Sequence, residues 1–158
     1  MKKIIIAFVG EIASGKGLAA DYLIAKTNAG YYRFSQILKD LAERLHLPVS
    51  RDILIRMSEI MREHFGEDVL AKVMAKDVEE NTSSIIIVDG VRRLADIEYL
   101  KQLKGFHLVH ITAPIETRYE RVKNRGEKTE ENNLIFEQFQ KDAQRSTEQS
   151  IKKVAQHA

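Results

Sequence analysis

The sequence contains no cysteine, and this absence excludes disulfide bonds and metal sites made of thiolates. No apolar run is near the roughly 20 residues that a helix needs to span a bilayer, so we expect no membrane partner. The net charge of +2 is too small to indicate a nucleic-acid-binding protein. An apolar run follows residues 1–3 as in a signal peptide, but Gly10 and Glu11 end it early. These exclusions favour a cytoplasmic protein.

Four short segments have the pattern of strands, and segments with helical spacing separate them. The strands are predicted at Ile4–Val9 and at residues 31–34, 84–88 and 106–111. Strands that alternate with helices are typical of a parallel sheet covered by helices on both faces. We therefore predict an α/β protein with three layers, α/β/α. A chain of 158 residues can bury a core without cross-links, and residues 1–158 are predicted to form a single domain.

The loop after the first predicted strand carries the pattern of a phosphate-binding P-loop. Its first seven positions, G-x-x-x-x-G-K, are matched by Gly10-Glu11-Ile12-Ala13-Ser14-Gly15-Lys16. Glycines let the loop amides turn towards phosphate oxygens, and the following helix adds its positive N-terminal end. Lys16 is then expected to bridge the β- and γ-phosphates. We predict that ATP is bound by Gly10, Ala13, Ser14, Gly15, Lys16, Gly17 and Leu18.

Gly17 departs from the pattern, because the motif has a Ser or Thr hydroxyl there that binds Mg²⁺. Either metal binding is lost, or Mg²⁺ is held by phosphates, waters and a distant carboxylate. The ending Gly15-Lys16-Gly17 is similar to that of adenylate kinase-type enzymes. From this point the chain resembles the nucleoside monophosphate kinase group, which includes dephospho-coenzyme A kinase and phage-type deoxynucleoside monophosphate kinases. The resemblance implies a P-loop NTPase fold and phosphoryl transfer from ATP with Mg²⁺.

Asp89 ends the third apolar strand segment, where α/β sheets bind their ligands. At this position it could hold Mg²⁺ through water, the task that Gly17 leaves open. The stretch Asp89-Gly90-Val91-Arg92-Arg93 resembles Asp-Gly-Phe-Pro-Arg of adenylate kinases, which implies a carboxylate near the metal and an arginine for the phosphates. Arg93 matches that arginine by spacing and Arg92 replaces the proline, so either can serve. The alternative is a strand-end turn with two surface arginines.

Arg118, Arg121 and Arg125 share one face of the helix predicted after the fourth strand, because their spacing is i, i+3, i+7. Aligned guanidinium groups match phosphate oxygens. The kinases that the chain resembles carry lid arginines here, which implies a lid region at about residues 114–130. Arg118 and Arg121 are predicted to contact ATP, and Arg121 and Arg125 to stabilise the transferred group. The alternative is a solvated helix face paired with Glu116 and Glu120.

The resemblance also implies an acceptor-binding helical segment at about residues 35–80. Ser35 and Lys39 stand in a stretch that loosely resembles Ser-Thr-Gly-Asp-x-Leu-Arg of adenylate kinase, although Ser35 can equally be a helix cap. Arg62 precedes Gly66-Glu67-Asp68 as an arginine precedes Gly-x-Asp in the phage-type enzymes, and it is predicted to contact the acceptor phosphate. Glu59 is predicted to meet a base or a sugar hydroxyl.

The chain is therefore predicted to be a kinase that transfers the γ-phosphoryl group of ATP to a nucleoside or deoxynucleoside monophosphate. Two alternatives stay open: phosphorylation of a hydroxyl, as in dephospho-coenzyme A kinase, and a nucleotide-binding module without turnover. A hydroxyl acceptor needs a carboxylate base, for which Glu11, Asp21 and Asp89 are candidates. The tail after the lid has a helical pattern that includes Leu134, Phe139 and Ile151, and it resembles the long helical segment after the lid in these kinases. In that family a final strand follows this segment, so the resemblance leaves two alternatives: the sheet lacks its last strand, or it is completed differently.

Overall fold

The computed structural model describes residues 3–125, 135–144 and 146–158, in which strands and helices alternate along the chain. The strands are β1 (Ile4–Val9), β2 (Gly30–Arg33), β3 (Ile85–Asp89) and β4 (Phe106–His110). The helices are α1 (Lys16–Thr27), α2 (Phe34–Arg44), α3 (Arg51–Phe65), α4 (Val69–Glu80), α5 (Leu94–Glu98), α6 (Ile115–Arg125), α7 (Phe136–Asp142) and α8 (Ser146–Ala155). A short 3₁₀ turn, Leu100–Gln102, follows α5.

The strands form one parallel sheet in the order β2-β3-β1-β4. Ile5, Ala7 and Val9 of β1 belong to a core beneath the helices on one face of the sheet. On the other face Phe8 packs with Ala20 of α1 and with Ile87. Coverage on both faces explains why β1 and β3 are almost entirely apolar. The predicted α/β class is confirmed, and within the described ranges after α6 the chain forms helices and no fifth strand.

The boundary between β2 and α2 differs from the prediction. The sequence pattern predicts Phe34 in the strand and Ser35 as a helix cap, but β2 ends at Arg33 and α2 begins at Phe34. Arg33 keeps an extended backbone, with φ −134° and ψ 133°. The Phe34 ring is buried in the core beside Leu38 of the same helix. Phe34 is therefore buried as part of the apolar face of α2 and not as a strand residue, and Ser35 lies inside the first turn of α2.

Helices α2, α3 and α4 contact one another, and together they make up the predicted acceptor segment at about residues 35–80. Ser50 caps α3, because its Oγ accepts a hydrogen bond of 3.3 Å from the Ile53 amide, as a serine before a helix predicts. Gly66 follows α3 with φ +102°, a conformation that favours glycine. Helix α1 ends at Thr27, and the left-handed backbone of the next residue, Asn28, stops the helix before Gly30.

The tail supplies two further helices. Val154 and Ile151 of α8 are buried in the core that contains β1, and Phe139 of α7 is also buried. The helical pattern predicted for this region is thus confirmed where the chain is described, while Leu134 and residues 126–130 of the predicted lid lie outside the described residues. No helix in the described ranges is both long enough and apolar enough to cross a membrane.

Candidate phosphate-binding site

The candidate site lies at the carboxyl ends of β1, β3 and β4, where three chain segments meet. The P-loop, residues 10–17, connects β1 to α1. Asp89 ends β3, and the segment after β4 leads into α6 with its arginines. Ligands of α/β proteins bind at this edge of the sheet. The predicted P-loop, strand-end acid and arginine helix are therefore neighbours in the fold.

The P-loop backbone requires small residues at particular positions. A Cβ atom on Gly10 would lie 2.1 Å from the Ile111 carbonyl oxygen, closer than real atoms approach. Gly15 has φ +111° and Ala13 has φ +58°, both in the left-handed region. Among the described residues, no side chain caps α1 at Gly15. The positive end of the helix is therefore directed to the loop, as anion binding requires.

Lys16 extends over the P-loop. Its Nζ donates hydrogen bonds to the carbonyl oxygens of Gly10 (2.7 Å) and Glu11 (2.8 Å), and it lies 3.4 Å from Ser14 Oγ. These contacts hold a positive charge on the side of the loop that precedes α1. Phosphate oxygens are hydrogen-bond acceptors, as these carbonyl oxygens are, and the lysine ammonium group can donate to either.

Gly17 and Leu18 lie on the exposed side of α1. A Cβ atom on Gly17 would have nothing within 4 Å, so the missing hydroxyl reflects the residue type and not a lack of space. Leu18 is 78% exposed. Over the described ranges, no three His, Cys, Asp or Glu side chains group together as a metal site would require.

Asp89 is a buried carboxylate whose hydrogen bonds come from β2 and from the residue that follows β3. Its Oδ2 accepts from Arg33 Nη2 (2.7 Å), Arg33 Nε (3.1 Å) and the Tyr31 hydroxyl (3.1 Å). Its Oδ1 accepts from the Gly90 amide at 2.7 Å. Burial alone would raise the pKa of Asp89, but the hydrogen bonds and charge of Arg33 outweigh it and leave the pKa below its ordinary value. Asp89 is therefore ionised at neutral pH.

Tyr31 shares this environment. Burial and the nearby charge of Asp89 raise the pKa of Tyr31 to about 12, although Arg33 opposes the shift. The phenol is consequently neutral throughout the physiological range and can donate its hydrogen bond to Asp89.

We expect an ultraviolet absorbance titration to show a phenol transition with a midpoint near 12, which belongs to Tyr31. Tyr31→Phe should remove that transition, because it removes the phenol that Asp89 holds protonated. Tyr22→Phe is the matched control, since Tyr22 is an exposed side chain of α1. A transition near 12 that persists in Tyr31→Phe would contradict the assignment.

Two of the three arginines on α6 contact the P-loop backbone. Arg118 is buried, and it donates hydrogen bonds to the carbonyl oxygens of Ala113 (3.1 Å) and Ile12 (3.5 Å). Its guanidinium carbon lies 5.8 Å from the centre of the Phe139 ring. The exposed Arg121 donates from Nη1 to the carbonyl oxygens of Ala13 and Ser14, both at 3.1 Å. Arg125 ends α6, and its side chain lies outside the described residues.

Glu11 is a loop residue that faces this arginine helix. Its Oε1 lies 4.0 Å from Arg118 Nη2 and its Oε2 lies 3.9 Å from His110 Nε2. Oε2 is buried without a hydrogen-bond partner among the described residues. Arg118 therefore serves two kinds of contact, with the carbonyl oxygens of the loop and with the Glu11 carboxylate.

The predicted acceptor residues fall into two groups. Arg62 is buried on α3, where it donates to the Glu67 carbonyl and, at 3.3 Å, to Asp96 Oδ1. Asp96 is also buried, and its Oδ2 accepts from the amides of Arg92 (2.9 Å) and Arg93 (3.0 Å). Arg62 is thereby joined, through Asp96, to the segment that follows Asp89. Its predicted contact with an acceptor phosphate remains a prediction.

The second group consists of side chains that solvent reaches. Arg92 and Glu59 are exposed, while Ser35 and Lys39 of α2 are half-buried. Arg93 forms an ion pair of 3.0 Å with Glu67, and both side chains are at least half exposed. Their predicted roles toward an acceptor are likewise open.

Arg33 and Tyr31 are residues of the candidate site that no sequence motif indicates. They belong to β2, and the register of the sheet pairs Arg33 with Asp89 across the β2–β3 ladder. Only the strand order reveals this neighbourhood, because 56 positions separate the two residues in the chain. The sequence does show an arginine at the end of one predicted strand and an acid at the end of another, but it does not show that the two strands are neighbours.

Comparisons with known proteins agree with this geometry. A model of the AAA domain family matches residues 6–147. UPF0200 proteins of Methanosarcina acetivorans and Methanosarcina barkeri are 31% and 33% identical over 132 residues, which cover 82% of this chain and 70% of each relative. The chain belongs to the AAA domain family and to the UPF0200 family. The matched region contains residues 6–9 of β1, the P-loop at residues 10–17 and the segments that carry Asp89 and Arg121.

Solved structures identify the fold more closely. Shikimate kinase from Bacteroides thetaiotaomicron superposes with a TM-score of 0.59 at 16% identity, covering 96% of this chain and 80% of that one. Shikimate kinase from Acinetobacter baumannii in complex with shikimate gives 0.52 at 15% identity, covering 97% and 80%. At such identities the likeness concerns the fold alone. Together with the family match, it assigns the chain a kinase-like P-loop fold.

Proposed function

We propose that this protein is an ATP-dependent kinase that transfers the γ-phosphoryl group to a nucleoside or deoxynucleoside monophosphate. The observation that carries the proposal is the convergence of Lys16 and Arg121 on the backbone of one P-loop. Both cations lie at the edge of the sheet where Asp89 supplies a carboxylate. Phosphoryl transfer depends mainly on positioning and on positive charge around the transferred group, and these residues provide both.

The nucleotide substrate would be ATP with its Mg²⁺, whose charge offsets that of the phosphates. The amides of residues 13–17 and the N-terminal end of α1 would bind the phosphates. Lys16 would exchange the carbonyl oxygens of Gly10 and Glu11 for oxygens of the β- and γ-phosphates. The open space at Gly17 fits an ion that is held by phosphates and water, with Asp89 as its protein partner.

The acceptor would approach from α2, α3 and the segment after β3. Ser35, Lys39 and Glu59 lie on those helices, and Arg92 and Arg93 follow Asp89. Arg62, fixed by Asp96, would hold this segment in position from within. A phosphate oxygen of the acceptor is already anionic and needs no strong base to attack the γ-phosphorus.

Arg121→Ala is expected to slow phosphoryl transfer by roughly 10²- to 10³-fold, because charge that acts on the transition state is lost. ATP affinity should change much less, since the loop amides and Lys16 remain. Rates from coupled ADP release and affinities from calorimetry separate the two effects. Arg44→Ala, which removes an exposed arginine at the end of α2, is the matched control. An unchanged rate in Arg121→Ala would show that Arg121 has no role in phosphoryl transfer.

A panel of acceptors tests the proposal itself. The protein is incubated with ATP and Mg²⁺, together with each ribo- and deoxynucleoside monophosphate and with dephospho-coenzyme A, while ADP is followed. ADP that depends on a nucleoside monophosphate supports the proposal. ADP that depends on dephospho-coenzyme A favours hydroxyl phosphorylation. ATP binding without ADP favours a nucleotide-binding module, and an equal rate without any acceptor favours hydrolysis.

A further inference from the structure

Arg62 and Asp96 form a buried ion pair. Their side chains are 8% and 3% exposed, and Arg62 Nη2 lies 3.3 Å from Asp96 Oδ1. Arg62 donates further hydrogen bonds from Nε to Ser58 Oγ (3.4 Å) and from Nη1 to the Glu67 carbonyl oxygen. Burial of a charge costs little only when the group is paired and hydrogen-bonded, and each nitrogen of this guanidinium group meets such a partner. The charge of Arg62 is therefore used inside the protein.

The other oxygen of Asp96 holds the backbone that follows β3. Asp96 Oδ2 accepts hydrogen bonds from the amides of Arg92 (2.9 Å) and Arg93 (3.0 Å). Val91, one residue earlier, is buried in the core. The backbone of residues 91–93 is thus fixed by packing at one end and by a carboxylate at the other. Both arginine side chains extend from this fixed backbone and are exposed.

The role of a helix cap does not account for all of these contacts. An acid in the first turn of a helix needs only the local amides as partners, and acids are mostly exposed. Asp96 lies in the first turn of α5, yet it is buried against Arg62 of α3. Beside this pair, Arg93 Nη1 lies 3.0 Å from Oε2 of Glu67, the residue whose carbonyl oxygen binds Arg62. Two separate contacts therefore join the end of α3 to residues 92–93.

We propose that Asp96 is a positioning residue for acceptor binding, which fixes the backbone of Arg92 and Arg93 so that their guanidinium groups meet the acceptor's phosphate. Arg62 is then the counterion of Asp96 and not a ligand of the acceptor. The inference rests on the proposed function and assigns recognition of the acceptor to residues 92–93. Guanidinium groups bind phosphate through directional hydrogen bonds, so a backbone fixed in advance lowers the cost of ordering them.

A pair of variants separates this role from that of a direct ligand. Asp96 cannot be replaced alone without leaving the charge of Arg62 buried and unpaired, so both variants carry Arg62→Met. Arg62→Met/Asp96→Asn keeps a side-chain oxygen that can accept from both amides. Arg62→Met/Asp96→Leu has a side chain of similar shape and no acceptor atom. The two variants therefore differ in their hold on residues 92–93 and not in charge.

The KM for the nucleoside monophosphate that stimulates ADP release should be roughly tenfold higher in Arg62→Met/Asp96→Leu than in Arg62→Met/Asp96→Asn, at a similar kcat. The affinity for ATP should be the same in both. The difference in KM should vanish when Arg92→Ala and Arg93→Ala are added to each variant, because Asp96 acts through those side chains. Equal KM values at the start would overturn the proposal and are the result expected if Arg62 binds the acceptor. A difference that persists without the two arginines would also overturn it.

Amide hydrogen exchange tests the same contact without turnover. In the wild-type protein the amides of Arg92 and Arg93 should be protected, and they should exchange roughly tenfold faster in Arg62→Met/Asp96→Leu than in Arg62→Met/Asp96→Asn. The amide of Asn28, which donates to the Ile24 carbonyl oxygen at the end of α1, is the control and should exchange equally in both variants.

The two measurements together distinguish the inference from the proposed function. Unprotected amides at residues 92 and 93 of the wild-type protein would contradict the hold of Asp96, whether or not the variants fold. Acceptor-dependent ADP with equal KM values would keep the proposed function and reject the inference. The expected exchange rates in a protein without phosphotransferase activity would keep the hold of Asp96 on the backbone and reject the proposed function.

Discussion

Lys16→Met is expected to reduce the rate of phosphoryl transfer by about 10³-fold. The substitution removes the positive charge that stabilises the β- and γ-phosphate oxygens as negative charge shifts between them during transfer. Methionine keeps the length and apolar stem of the side chain, so the loop should retain its backbone. The lost hydrogen bonds to Gly10 and Glu11 are partly exposed, and the free energy of unfolding should fall by no more than about 1 kcal/mol. Initial rates of ADP release and a denaturant titration measure both quantities.

Lys26→Met is the matched control, since Lys26 stands in the last turn of the same helix and is exposed. It should keep the wild-type rate. Full activity in Lys16→Met would refute the assignment of the P-loop. A large loss of stability in Lys16→Met would mean that the lysine serves the fold and not the nucleotide.

Gly10→Ala is expected to destabilise the protein by about 3 kcal/mol or more, because the added methyl group meets a backbone atom. That atom is the Ile111 carbonyl oxygen, 2.1 Å from the Cβ position. A backbone carbonyl cannot rotate away as a side chain does. Relief requires the loop to separate from the segment that follows β4. The melting temperature should fall by roughly 6–12 °C, as the usual relation for a chain of this size predicts.

Gly17→Ala provides the comparison within the same loop. Its Cβ would meet nothing within 4 Å, and alanine is favoured over glycine inside a helix by about 0.5–1 kcal/mol. Gly17→Ala should therefore be neutral or stabilising by calorimetry. If the two substitutions had equal effects, the close approach of Gly10 to Ile111 would not be a determinant of the loop.

Much of the fold follows from local patterns in the sequence. The runs at β1 and β3 are apolar because both of their faces are buried, and such runs can be recognised without knowing the strand order. The G-x-x-x-x-G-K spacing likewise identifies the P-loop. The glycines permit the tight loop backbone and the lysine reaches the phosphates from within the same loop, so the signal is local. The helix after Ser50 was predictable for a similar reason, because a cap depends on residues three positions apart.

The remaining features depend on neighbours that are distant in the chain. Phe34 has the character of a strand residue, and only its packing against the core shows that it begins α2. Arg33 reaches Asp89 because β2 pairs with β3, which no local pattern reveals. Arg62 is predicted from the sequence to contact an acceptor phosphate, and the structure shows it buried with a hydrogen bond to Asp96, 34 positions away. Buried charge pairs of this kind become visible only once the helices are packed.

The destination of the γ-phosphoryl group tests the central claim most directly. The protein is incubated with ATP labelled at the γ-phosphate and with the acceptor that stimulates ADP release, and the labelled products are separated. The account predicts that the label appears in the phosphorylated acceptor, in an amount equal to the ADP formed, and that Lys16→Met abolishes both. Label found only as inorganic phosphate, at a rate indifferent to the acceptor, would contradict it.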